Sequence, residues 1–166
     1  MAGNLQEKEN LIQAGLFLLK VNVLLIPFYV ISYIKFTVLP LQTGFAALIA
    51  FMLKAFNLQV LQADQFLYLG ADKYPIDISF DCLGWKSVYS LSVLVIATPG
   101  NIKEKLHFLK IWLPVLIAIN IFRIISIILL GNALGYQYIE AIHNNIWQIG
   151  IIGLVVGVWY LWLKKM

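Results

Sequence analysis

The sequence predicts an all-α fold, a polytopic bundle of transmembrane helices, and three observations carry that reading. Of 166 residues, 61% are hydrophobic and only 12% are charged, a balance far from that of a soluble domain. Long apolar runs, each near the length of about 20 residues that crosses a hydrocarbon core of about 30 Å, follow one another along the chain. The lysines gather between those runs and at the C-terminus instead of forming a basic stripe, so the formal charge of +4 reads as membrane topology and not as nucleic-acid binding. Residues 1–166 are read as one integral membrane domain.

Each element follows from local chemistry. After a polar start containing Glu7, Lys8 and Glu9, the first apolar run covers about 11–39 and is interrupted by Lys20, Asn22, Pro27 and Lys35, which reads as one tilted or kinked helix. It is too long for the apolar core of a signal peptide. Pro40 marks a turn, and a second span covers 41–58, with Lys54 near its far end extending its ammonium to the interface. The polar stretch from Gln59 to Asp81, with Asp64, Asp72, Lys73, Pro75 and Asp77, reads as a substantial loop. A third span, 82–98, ends at Pro99-Gly100-Asn101. A short basic loop with Lys103, Lys105 and His107 leads to the fourth span, 108–130, which contains Asn120 and Arg123. Gly131-Asn132 is expected to break that helix before a short interfacial helix carrying Glu140. The fifth span, 143–163, closes with Lys164 and Lys165. Trp85, Tyr136 and Trp147 fit an outer aromatic belt, Trp159 and Trp162 an inner one, and Gly150, Gly153 and Gly157 form a small-residue packing stripe.

With the lysine clusters on the cytoplasmic side, five spans place the N-terminus and the Asp-rich loop outside. Cys82 and His143 then begin spans at the outer face, and Arg123 lies about 10 Å below it, one turn from Asn120. A lone thiol at such a boundary is either a nucleophile or a small apolar filler. An arginine inside a span must face the bundle, where it serves a substrate or pairs with Asp81 or Glu140. Lys86, one turn from Cys82, is placed to favour a thiolate or to reach the headgroups. Ser87, Tyr89 and Ser90 read as packing groups. His107 belongs to the opposite end and is excluded as a partner of Cys82.

The stretch Cys82-Leu83-Gly84-Trp85-Lys86-Ser87, then Asn120-Ile121-Phe122-Arg123, then His143 resembles the exosortase/archaeosortase family, whose pattern is Cys-x-Gly-x-basic-Ser, Asn-x-x-Arg and a later His. Archaeal members are the nearer likeness, and by that resemblance this chain would be a minimal form. The resemblance implies a membrane-embedded cysteine transpeptidase, with Cys82 as nucleophile, Arg123 steadying the oxyanion or carbonyl, His143 as acid/base, and Asn120, Lys86 and Asp81 in support. It implies no cofactor or metal. Its partners would be the lipid bilayer, membrane-anchored proteins bearing a C-terminal motif, a transmembrane helix and a basic tail, and an acceptor of lipid character. A non-enzymatic transport or assembly subunit and a thiol peptidase without transfer are the competing readings.

Overall fold

A computed structural model describes residues 2–70, 73–139 and 148–165, so His143, with Glu140 and Trp147, lies outside the described residues. The described residues are mostly helical and form five α-helices: α1 (Ala2–Tyr33), α2 (Leu39–Ala55), α3 (Trp85–Ala97), α4 (Ile102–Leu134) and α5 (Gln148–Lys165). Of these, α1 over Glu7–Tyr33 and α4 are long and apolar enough to cross a membrane. None of the apolar window of α1 is buried in the protein, a surface that suits lipid.

The helix ends differ from the ends expected for the spans, for local reasons. Lys35 takes φ +49° and the Phe36 N–H closes back on the Ile31 carbonyl, so a left-handed cap stops α1 short of Leu39. The same device, Asn57 at φ +59° with the Leu58 N–H on the Leu53 carbonyl, ends α2. Asn101 accepts the Lys103 N–H at 3.0 Å, so α4 begins at Ile102, well before Phe108. Nor does Gly131 break α4, which runs on to Leu134. Gly131 leaves room for Ile139, which would collide with a Cβ there.

The Asp-rich stretch expected to be loop is a three-stranded antiparallel sheet, and the fold is therefore not purely helical. Strands β1 (Val60–Ala63), β2 (Phe66–Leu69) and β3 (Tyr74–Asp77) lie in chain order, with Val60 opposite Leu69 and Leu67 opposite Ile76. Leu67 and Leu69 point to one face and are fully buried, as the two-residue period requires. They meet Ala46, Ile49 and Leu53 of α2 and Ile124, Ile125 and Ile128 of α4 in one apolar cluster. A second cluster, at the other end, joins Leu91 and Val95 of α3, Phe108 and Leu109 of α4, and Val155, Val158 and Trp162 of α5.

Two consequences depart from the expected topology. The buried apolar residues of α2 all belong to the sheet-side cluster, so α2 lies with the sheet as a cap beside the last third of α4 and does not run the length of the bundle. Helix α1 also runs opposite to the expected sense. Phe17 stacks on Trp159 at 5.7 Å, whereas Phe28 packs on Trp85 at 5.2 Å and Phe36 on Phe80 at 5.6 Å. The start of α1 thus shares an end with Lys103 and Lys165, and its finish shares an end with Cys82.

Among the aromatics, Trp162 is not a belt residue. It is 1% exposed and packs on Phe108 at 5.1 Å. The glycine stripe of α5 does not pack either, since no described atom lies within 4 Å of a Cβ built at Gly150, Gly153 or Gly157. Tyr89 does fasten helices, donating to the Leu24 carbonyl at 2.7 Å.

Single cysteines replacing Lys8, Lys73 or Lys165 in a Cys82→Ala background test the direction of α1. An impermeant thiol reagent should label the Lys73 position in intact cells, and the Lys8 and Lys165 positions only after lysis. Labelling of Lys8 together with Lys73 would contradict this packing.

Candidate active site

Cys82 does not open a helix. It lies in a single 3-10 turn, Phe80–Leu83, that precedes α3. Gly84 joins the two elements in the left-handed region, φ +80° and ψ 8°, where only glycine is unstrained. The Asn120 side chain presses on the same spot, with its Cγ and Nδ2 3.0 Å from where a Gly84 Cβ would sit. That approach lets Asn120 Nδ2 donate to the Cys82 carbonyl at 2.6 Å. From α2, Gln42 Nε2 donates to the Ile78 carbonyl at 3.3 Å, so the segment carrying the thiol is held from two helices.

Arg123 follows Asn120 by three residues, on the same face of α4. It is 8% exposed, and its Nε has no hydrogen-bond partner among the described residues. Of the two carboxylates expected as its counter-ion, Asp81 does not fill that role. Asp81 receives Lys86 Nζ at 2.8 Å and Trp85 Nε1 at 3.2 Å, while Glu140 lies outside the described residues. Lys86 is therefore committed to Asp81, a half-exposed ion pair at the rim.

Cys82, Arg123, Asn120, Asp81 and Lys86 line one cavity of about 740 Å³. Ser79, Ser87 and Ser90 add polar groups to its lining, and Phe28 of α1, Leu94 of α3 and Ile151, Ile152 and Val155 of α5 form an apolar wall. The cavity thus joins a thiol and a guanidinium to a slot walled by hydrocarbon. Every site residue expected from the sequence lines it, save His143, whose position is not described.

Two further residues in this region were not expected from the sequence. Ser79 Oγ lies 3.4 Å from Cys82 Sγ, and Gln42 is 4% exposed in the middle of an apolar segment. The short 3-10 turn that brings Ser79 to the thiol has no periodicity to betray it. Gln42 was legible only as a polar residue in an apolar run.

The transmembrane exosortase family model matches residues 10–163 of this chain. No curated protein and no solved structure matches.

Gly84→Ala tests the close approach. Left-handed backbone costs an alanine about 1–2 kcal/mol, and the Cβ must also displace Asn120. A lower melting temperature in detergent is expected, together with faster proteolysis within residues 78–84. An unchanged melting temperature would show that the turn has another way to sit on α4.

Proposed function

Because the chain belongs to the transmembrane exosortase family, whose members are membrane-embedded cysteine transpeptidases of the sorting kind, we propose that it cleaves a C-terminal sorting signal from exported proteins and transfers them to an acceptor through Cys82. The observation that carries this reading is the shared cavity: a lone thiol and a buried guanidinium, its Nε without a partner among the described residues, line one opening.

The chemistry follows from those two groups. The Cys82 thiolate attacks the scissile carbonyl carbon, and the carbonyl π electrons pass to oxygen. The Arg123 guanidinium offers N–H donors to that oxyanion inside a largely apolar cavity, where such donors act more strongly than in water. Collapse of the intermediate expels the amine of the basic tail, which takes a proton from a general acid, the role given to His143 by the family pattern. The thioester then yields to an acceptor nucleophile, which forms the new bond to the carbonyl carbon, passes its proton to the now deprotonated general acid and expels the thiolate. Asn120 holds the backbone of the nucleophile through its bond to the Cys82 carbonyl, and the Asp81–Lys86 pair forms part of the rim.

The apolar wall below the thiol supports transfer over hydrolysis. It restricts water at the thioester, and Phe28, Leu94, Ile152 and Val155 offer a surface to a lipid chain whose polar head carries the acceptor. With the lysine end cytoplasmic, the cavity opens near the extracytoplasmic face.

Co-expression with a tailed substrate should trap a hydroxylamine-sensitive thioester on Cys82, absent from Cys82→Ala. Arg123→Lys should fold with an unchanged melting temperature yet process substrate about 10²–10³-fold more slowly, the loss that follows removal of an oxyanion donor. Mass analysis of the new C-terminus should find it joined to the acceptor. A free carboxylate there would reduce the reaction to hydrolysis, and full processing by Cys82→Ala would sink the proposal.

A further inference from the structure

The 3-10 turn brings a second nucleophile-type side chain to the cysteine. In such a turn, residues three apart eclipse one another. The Cys82 N–H closes the turn on the Ser79 carbonyl at 2.9 Å. Ser79 Oγ accordingly lies 3.4 Å from Cys82 Sγ, and both residues line the cavity. A serine before a helical turn ordinarily spends its hydroxyl on a backbone N–H of that turn. Here Ser79 makes no such capping bond, and its hydroxyl is directed to sulfur instead.

We propose that Ser79 is a positioning residue for Cys82, its hydroxyl donating to the thiolate and holding the sulfur toward the cavity. With a neutral thiol, either atom can donate. A thiolate has no proton, so the bond then runs one way, from Ser79 Oγ–H to Sγ, and hydrogen bonding to a charged form favours that form. The pair cannot drift apart easily, because Gln42 holds the Ile78 carbonyl just before Ser79 and Asn120 holds the carbonyl of Cys82 itself. Among the described residues, the charged groups lining the same cavity are Arg123 and the paired Asp81 and Lys86. The described residues of α1, α2 and α5 around this site contribute no charge: Phe28, Gln42, Ile151, Ile152 and Val155.

This inference rests on the reading of Cys82 as a nucleophile, but its test needs no substrate. Cys82 is the only cysteine of the chain, so iodoacetamide consumption by purified protein in detergent reports on that sulfur alone. The rate is measured against pH for the wild type, Ser79→Ala and Ser79→Thr, with melting temperatures read on the same samples to separate lost fold from lost hydrogen bond. Loss of a hydrogen bond to a charged group should raise the alkylation midpoint of Ser79→Ala by about one pH unit. Alkylation below the midpoint slows about tenfold accordingly, and Ser79→Thr, which keeps the hydroxyl, should restore the wild-type profile. An unmoved midpoint in a folded Ser79→Ala, or a Ser79→Thr profile that follows alanine, would overturn the proposal. Failure to trap a thioester with the midpoint shifted as expected would instead count against the transpeptidase reading and leave the Ser79–Cys82 bond standing.

Discussion

One hydrogen bond, from the Asn120 amide to the Cys82 carbonyl at 2.6 Å, fixes the geometry on which the site depends. It joins the turn that carries the thiol to the helix that carries the guanidinium. Asn120 is 2% exposed, so removal of its amide would leave the Cys82 carbonyl short of a partner in a poorly hydrated place, at a cost of about 1–3 kcal/mol. Arg123 is three residues further along the same helix, and its position relative to the sulfur follows from that bond. Gly84 permits it, since any Cβ there would meet the Asn120 side chain.

Around this link the protein divides its work between two apolar clusters. The one near the lysine end ties α3, α4 and α5 together through Trp162, Phe108 and Leu91. Trp159 closes it against the end of α3 by donating to Thr98 Oγ1 at 3.1 Å. The cluster at the other end seats α2 and the sheet on α4. Helix α4, 33 residues and about 50 Å long, is the one element among the described residues with buried residues in both. Between the clusters, on the α3 and α5 side, lies the cavity.

Much of this was legible in the sequence, and what was not has identifiable physical causes. The membrane class followed from composition, and Cys82, Asn120 and Arg123 from their rarity in apolar surroundings, where a polar group needs a reason to be buried. The sheet was not legible because its strands have four residues each, and only Leu67 and Leu69 show the alternation that marks a buried face. The direction of α1 could not be read from lysine placement alone. Apolar length does not distinguish a helix that crosses the bundle from one that, like α2, lies along its cap. The 3-10 turn was hidden because three or four residues are too few to show a period, and the Ser79 contact was hidden with it.

The outward surface of α2 has a consequence for how deep the active site sits. While Ala46, Ile49 and Leu53 face the sheet and α4, Leu41, Leu48, Phe51 and Phe56 stand exposed, Phe51 at 74%. The cap therefore shows hydrocarbon sideways and polar sheet edges such as Gln62 and Asp77 to water. In a bilayer such a helix acts as a float: pushed deeper it drowns the sheet's polar groups in lipid, and lifted higher it bares its phenyl rings. Under the proposed topology, the level of the thiol would be gauged from the headgroup boundary beside it and not from the far end of the spans, so a thicker or thinner membrane would tilt the long helices and leave the candidate site at the same height.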